Sequence, residues 1–293
     1  GLSANGGLQF TSTGYTLTGA GLVLGGTSNG VEVGSGLSAT VATVLSGSGG
    51  LVKTGAGALS LGSANTLTGT ASITQGVLRV TNGGALQSMP IVVQTGGTLA
   101  LPTATRLVLS ATSLTVDQAT GGTVDIGKGR IDIGSGATEA DLRADLIAGR
   151  TAAGTFSGTS GIMTTGGKAS VNSANAVVGY RVTAGSAVVA WAAYGDSNLD
   201  GVVNSTDISL VNGGGRYNAG APATWQQGDY NYSGDVNSTD ISLLNGTGLY
   251  GTASYLPVTV ASLSTTTTGT LSVSRNAWLA YAIDSETRNT RKR

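Results

Sequence analysis

Through most of the chain, apolar side chains occupy every second position in short runs that glycine ends. Val77-Leu-Arg-Val80 and Arg130-Ile-Asp-Ile133 show the alternation, which turns one face of a strand inward and the other to water. Asn82-Gly-Gly84, Thr95-Gly-Gly97 and Thr120-Gly-Gly122 supply turn chemistry between the runs. The pattern predicts a series of short strands from Leu8 to about Ser135. It breaks at Thr138, where Thr138-Glu-Ala-Asp141 has the spacing of a capping box and Leu142, Leu146 and Ile147 share a helical face. A helix over Glu139–Ala148 is expected, placed to cover strand edges left open by the preceding coil. Strands resume at Ala176–Val182 and Ala187–Ala192, and again at Pro257–Leu263 and Thr270–Ser274. The last apolar segment, Asn276–Ile283, carries Trp278 and Tyr281 and must be buried on its own chain or a neighbour's.

The strand segments repeat loosely. Gly6-Gly-Leu8 returns as Gly49-Gly-Leu51, and Thr16-Leu-Thr-Gly19 as Thr66-Leu-Thr-Gly69. Strand–turn–strand units of imperfect period predict a solenoid of roughly 20 residues per coil, rising about 4.8 Å each time. A β-sandwich is the rival, and it calls for fewer and longer strands. Composition fits either: 49 glycines, no cysteine, no histidine and only 10% charged residues, with enough Val, Leu and Ile to build a core. The run from Gly49 to Gly69, continued by Gln75-Gly-Val-Leu-Arg-Val80, resembles the autotransporter-associated β-strand repeat. That resemblance implies a right-handed parallel β-helix of the kind found in bacterial surface and secreted proteins.

A different repeat lies further on. The stretch from Gly195 to Gly213 returns as Gly228 to Gly246, with 14 of 19 positions identical. Oxygen-bearing side chains fall at steps 1, 3, 5, 9 and 12 of each twelve-residue loop, with glycine at step 6. A hard cation such as calcium needs six to eight oxygens, and this spacing presents alternate residues inward around it. The ligands read from the first loop are Asp196, Asn198, Asp200, the carbonyl of Val202, Asn204 and Asp207. From the second they are Asp229, Asn231, Ser233, the carbonyl of Asp235, Asn237 and Asp240. Two Ca2+ ions are therefore expected. Asp207 and Asp240 are read as opening short helices over Ile208–Val211 and Ile241–Leu244, and Trp225 as packing between them. The alternative is an Asp/Asn/Gly-rich surface turn, which duplication in register disfavours.

Both loops resemble those of type I dockerins, which close on Asp and lack a helix before each loop. The resemblance implies calcium binding, and a cohesin-like partner contacted by Ser205, Thr206, Ser238 and Thr239. Ser233 stands where the family pattern has Asp, and the basic residues that commonly follow in the dockerin helix are missing.

Net charge is zero, which excludes a nucleic-acid footprint. Residues 1–100 carry only Glu32, Lys53 and Arg79, whereas six acids lie in Asp196–Asp240 against one base, Arg216. No apolar run is long enough to span a membrane. A chain that starts at Gly1 reads as processed or as a fragment, and loops of this kind suit the millimolar calcium outside cells, so export is expected. Catalysis on polysaccharide would need paired carboxylates or a base beside acids. Asp117, Asp125, Lys128, Arg130 and Asp132 are candidates, yet their alternation equally describes a solvated face, and no catalytic residue is assigned.

The expected organisation is a β-helix over residues 1–137, a helical cap with further strands over 138–192, a calcium module over 193–250, and C-terminal strands with a basic tail over 251–293. The expected role is non-enzymatic: an extracellular subunit that self-associates into a fibre or adhesive layer through solenoid ends and a C-terminal segment containing Trp278 and Tyr281. The second reading is docking to a cohesin-like protein. The third is a β-helix that acts on or binds glycans.

Overall fold

The computed structural model describes residues 2–4, 7–169 and 177–257. A three-sided parallel solenoid is the architecture it contains. The first coil is β1 (Leu2–Ala4), β2 (Leu8–Phe10) and β3 (Tyr15–Leu17), followed by β4 (Leu22–Leu24), β5 (Ser28–Val33) and β6 (Ser38–Val41). The next two coils are β7 (Leu45–Gly47), β8 (Gly50–Thr54) and β9 (Ala58–Leu61), then β10 (Thr66–Leu67), β11 (Ala71–Ile73) and β12 (Gly76–Val80). A turn replaces the first side of the fifth coil, leaving β13 (Pro90–Val93) and β14 (Gly97–Ala100). After it come β15 (Val108–Ala111), β16 (Ser113–Val116), β17 (Thr123–Asp125) and β18 (Arg130–Ile133).

Each side of the coil forms its own sheet. One runs β1-β4-β7-β10, the second β2-β5-β8-β11-β13-β16, and the third β3-β6-β9-β12-β14-β17, with β19 (Gly161–Met163) added last. All of these pairings are parallel, so the sandwich alternative is excluded. Many strand boundaries fall within a residue or two of those read from the alternation, but the run Ala39–Leu45, read as one strand, is split between β6 and β7 at a corner of the coil, and β5 starts three residues before Val31.

Registration puts like on like. Ala39, Leu59, Leu78, Leu99, Val124 and Ile162 stack through the third sheet, and all are buried. These inward positions are thus shared between neighbouring coils, while the outward ladder beside them carries mostly polar residues, including Thr40, Ser60, Arg79 and Asp125. Close stacking also demands glycine at certain corners. A Cβ on Gly57 would lie 2.2 Å from the carbonyl oxygen of Gly34 and 2.7 Å from that of Leu37.

Two polar side chains are wholly buried inside the coils and are matched to backbone groups. Asn29 donates through Nδ2 to the carbonyls of Gly26 and Gly50, at 3.0 Å each, and accepts from the Gly26 amide. Lys53 occupies the inward ladder of the second sheet, between Val31 and Ile73. Its Nζ turns aside to donate to the carbonyls of Thr54, Gly55 and Gln75 at 2.7, 2.6 and 3.1 Å. The stem fills an apolar position while the ammonium closes a turn.

Beyond β18 the regular coil stops. Helix α1 (Glu139–Gly149) follows, capped by Thr138, which accepts from the Asp141 amide at 3.1 Å. It buries Leu142 and Leu146. Its last residue, Gly149, presses on β19 so closely that a Cβ would lie 1.8 Å from the Ile162 carbonyl oxygen. α1 therefore lies against β19, the last strand of the third sheet. At the second sheet β16 keeps one side unpaired among the described residues, bordered by a cleft of about 350 Å³ between it and the Asp141–Asp145 side of α1.

The chain then makes an antiparallel hairpin of β20 (Val177–Thr183) and β21 (Ser186–Ala192), with β21 antiparallel to β18. The segments expected beyond Pro257, including Trp278 and Tyr281, lie outside the described residues.

Burial lowers the Lys53 ammonium to about 8, with Glu32 acting in the opposite direction. The unfolded chain binds this proton more tightly than the folded one, so stability should rise as pH climbs from 8 to 10.5. Denaturant unfolding followed across that window should show the rise in the unaltered chain. Lys53→Met should show a smaller one.

Candidate metal centre

The duplicated stretch folds as two loop–helix units whose hydrogen bonds repeat almost atom for atom. In the first loop, Asp207 accepts the amides of Ser197 and Asn198 on Oδ1 and that of Asn204 on Oδ2, at 2.9, 3.2 and 2.9 Å. In the second, Asp240 accepts from Tyr230 and Asn231 on Oδ1 and from Asn237 on Oδ2, at 3.0, 3.2 and 3.0 Å. The third and fifth side chains turn the backbone as well. Asn198 Oδ1 takes the Asp200 amide, Asp200 Oδ1 the Val202 amide, and Asn231 Oδ1 the Ser233 amide.

The helices start earlier than the pattern implied. α2 spans Ser205–Gly214 and α3 spans Ser238–Gly246, with Asn204 and Asn237 as N-caps. Asp207 and Asp240 sit one turn in, as the returning half of a capping box. The expectation that these aspartates open the helices is corrected accordingly: Asn204 and Asn237 take the cap, which leaves each aspartate at the third helical position to fold back over its loop.

Four carboxylates are fully buried: Asp196 and Asp207 in the first loop, Asp229 and Asp240 in the second. Burial pushes all four carboxyls upward, Asp196 to about 6, because an anion removed from water loses its hydration. Asp229 Oδ1 has no hydrogen-bond partner among the described residues. Buried anionic oxygens that backbone amides only partly satisfy are a donor set suited to a hard cation. No three His, Cys, Asp or Glu side chains among the described residues form a metal cluster by themselves. The set read from the sequence is completed by Asn198, Asp200, Asn204, Asn231, Ser233, Asn237 and two main-chain carbonyls, which is oxygen chemistry appropriate to calcium rather than zinc.

The fourth position of each loop is unlike a surface turn. Leu199 and Tyr232 hold left-handed backbone, φ 61° and 62°, which costs a side-chain-bearing residue on the order of 1 kcal/mol. Packing offsets this, since both are buried. Leu199 and Trp225 pack against Gly179 of β20, where a Cβ would come within 2.7 Å of each. Tyr232 stacks on Tyr180 at 5.9 Å, meets Phe156 edge-on at 5.5 Å and donates its hydroxyl to the Val178 carbonyl. Trp225 lies in a short 3-10 turn, Trp225–Gln227. Its neighbours are Tyr230 at 5.1 Å and Tyr232 at 6.0 Å, and it donates Nε1 to the Asp196 carbonyl. It faces the hairpin as well as the loops, a wider role than packing between the helices.

Two side chains from outside the repeat reach the first residue of each loop. Tyr255 donates to Asp196 Oδ2 at 2.6 Å, and Arg143 of α1 contacts Asp229 Oδ2 at 2.9 Å. Neither was read as a site residue in the sequence. Ser205, Thr206, Ser238 and Thr239 are all exposed, one pair at the start of each helix. The glycan candidates are tied up locally: Asp125 accepts the amides of Gly127 and Thr165, and Asp132 pairs with Arg130 at 2.5 Å.

With this geometry in view, the comparisons with known proteins are specific. Residues 194–247 match the dockerin type I domain. Dockerin type I domains bind calcium and, as partners, cohesins. The chain is also similar to an adhesin autotransporter, BmaC, of Brucella suis biovar 1 (strain 1330), at 34% identity over 122 residues. That match covers 42% of this chain and 4% of the adhesin's length. No solved structure matches. The chain thus joins a dockerin-like module to an autotransporter-like parallel β-solenoid.

The interface between module and hairpin yields a direct test. Gly179→Val should crowd Leu199 and Trp225 and cost about 1–3 kcal/mol. Hydrogen exchange should then quicken over residues 196–244 while the coils of β4 to β12 keep their protection.

Proposed function

We propose that this chain is an exported structural or adhesive subunit, a β-solenoid braced by a calcium-loaded module, whose copies join into a fibre or layer. The observation that carries the reading is the continuity of the parallel sheets right up to strands that, among the described residues, are paired on one side only. The second sheet ends at β2 and β16, with the cleft beside β16 leaving room for an added strand. Such edges recruit further strands unless covered. The likeness to an adhesin supports a surface setting. No helix among the described residues is long and apolar enough to cross a membrane.

In this reading Asp196, Asn198, Asp200, the Val202 carbonyl, Asn204 and Asp207 hold one calcium ion. Asp229, Asn231, Ser233, the Asp235 carbonyl, Asn237 and Asp240 hold the other. The ions supply positive charge to loops that bury four carboxylates. Calcium binding is then part of the stability of the hairpin and α1, because the fourth loop residues and Trp225 are wedged into that end of the solenoid. No reaction is assigned to the chain.

Docking is the second reading, favoured by one observation: the hydroxyl pairs Ser205/Thr206 and Ser238/Thr239 remain exposed. A cohesin-like protein would be held there, and bulky replacement of the four residues would abolish its capture while leaving self-association intact.

Two measurements test the proposal. Calcium at about 100 times its dissociation constant should stabilise the folded chain by roughly 2.7 kcal/mol per independent site. Most of that gain should disappear in Asp207→Ala/Asp240→Ala. Sedimentation in millimolar calcium should show large species, diminished by deletion of residues 276–293. A monomer at every calcium concentration would remove the fibre reading and leave docking.

A further inference from the structure

The two loops differ in what grips their first carboxylate. In each, Oδ2 accepts the amide of the loop glycine, Gly201 at 2.9 Å and Gly234 at 3.0 Å. Each Oδ2 then takes one donor from outside the repeat. At Asp196 this is the neutral phenol of Tyr255, and at Asp229 it is the guanidinium of Arg143. Arg143 belongs to α1, the helix that covers the end of the solenoid. It also donates to the Tyr232 carbonyl at 2.9 Å and lies 5.8 Å over the Tyr232 ring. The remaining oxygen, Asp229 Oδ1, is buried and unpartnered among the described residues, as is Arg143 Nη1.

Resting on the calcium reading above, we propose that Arg143 makes the second loop the weaker of two unequal calcium sites and couples its filling to the seating of α1. Each loop contains three aspartates, but the loops differ in how many of them stand at ligand side-chain steps. The first places carboxylates at steps 1, 5 and 12. The second has Ser233 at step 5, and the Asp235 side chain bonds Ser233 and Asn237 instead. Arg143 subtracts a further unit of negative charge from the second loop. A fixed cation in contact with a ligand carboxylate repels an arriving dication, and at this range the effect is on the order of tenfold in affinity. Arg143 also helps to hold Asp229 in place, which favours binding. The Gly234 amide already fixes the same oxygen, so the charge is the larger effect. With calcium absent, the guanidinium supplies charge that the second loop otherwise lacks, so α1 and this loop stay joined. By linkage, whatever the bound ion does to the Arg143–Asp229 contact, loosening α1 must do in reverse to the ion.

The test is a calcium titration of the full chain by calorimetry after chelation, with Asp240→Ala used to assign the second site. The unaltered protein should show two steps, the weaker one lost in Asp240→Ala. In Arg143→Gln the weaker site should tighten about tenfold while the stronger is unmoved, and the unfolding midpoint in chelator should fall. Arg143→Lys, which retains charge, should keep the second site weak; Arg143→Met serves as a second neutral variant if the glutamine variant folds poorly. An unchanged second site in both neutral variants overturns the proposal, as does an equal shift at both sites. Absence of calcium uptake by the unaltered protein overturns the calcium reading itself, and this inference with it.

Discussion

Parallel stacking is the constraint on which the rest of this molecule depends. A coil that contributes one strand to each of three sheets has its inward side chains buried only because another coil lies above and below. No coil is self-sufficient, and stability accumulates along the stack in nearest-neighbour steps. This explains why a chain so poor in charge and so rich in glycine folds at all. The corners need residues without side chains, many outward positions carry small hydroxyl groups, and the third sheet presents two buried aliphatic columns, one through Ala39, Leu59 and Leu78 and one through Val41, Leu61 and Val80. It also explains Lys53. The inward ladder of the second sheet tolerates a long stem at that level because three turn carbonyls receive the ammonium.

The same constraint makes the ends costly. The end that follows β18 is met with a change of architecture: α1 against β19, an antiparallel hairpin on β18, and an aromatic cluster that packs the hairpin onto the calcium-type loops. The loops are therefore part of the way the stack finishes. Large residues at a left-handed loop position are the clearest sign of this. Leu199 and Tyr232 accept backbone strain that a glycine would avoid, and they regain it through contacts with β20 and its neighbours.

Much of this was legible in the sequence for identifiable reasons. Strict alternation fixes strand faces, so Val77–Val80 and Arg130–Ile133 could be read directly, and glycine marked the corners between them. The duplication revealed the paired loops, because oxygen ligands must recur at set intervals along a short chain. What the sequence did not reveal depends on contacts distant along the chain. Nothing near Arg143 signals Asp229, and nothing near Tyr255 signals Asp196. The helix starts were misread because the closing aspartate was given the capping role that its neighbour Asn204 or Asn237 performs. A usable clue was present in the loops themselves: Leu199, Tyr230 and Tyr232 are apolar or aromatic at positions that a solvated turn fills with polar residues.

That clue also bears on the choice between a bracing module and a docking one. A module that serves only to be captured by a partner has little use for burying its own loop residues in the chain that carries it. Here the buried faces are the loops, and the exposed faces are the starts of α2 and α3. The two proposed roles, bracing and docking, would therefore use different surfaces of one small unit and would not compete for the same residues. Calcium would act on the loops, at the buried face. On the proposed reading its first effect would be to stiffen the end of the solenoid, and any effect on capture at Ser205, Thr206, Ser238 and Thr239 would follow through the helices that those loops cap.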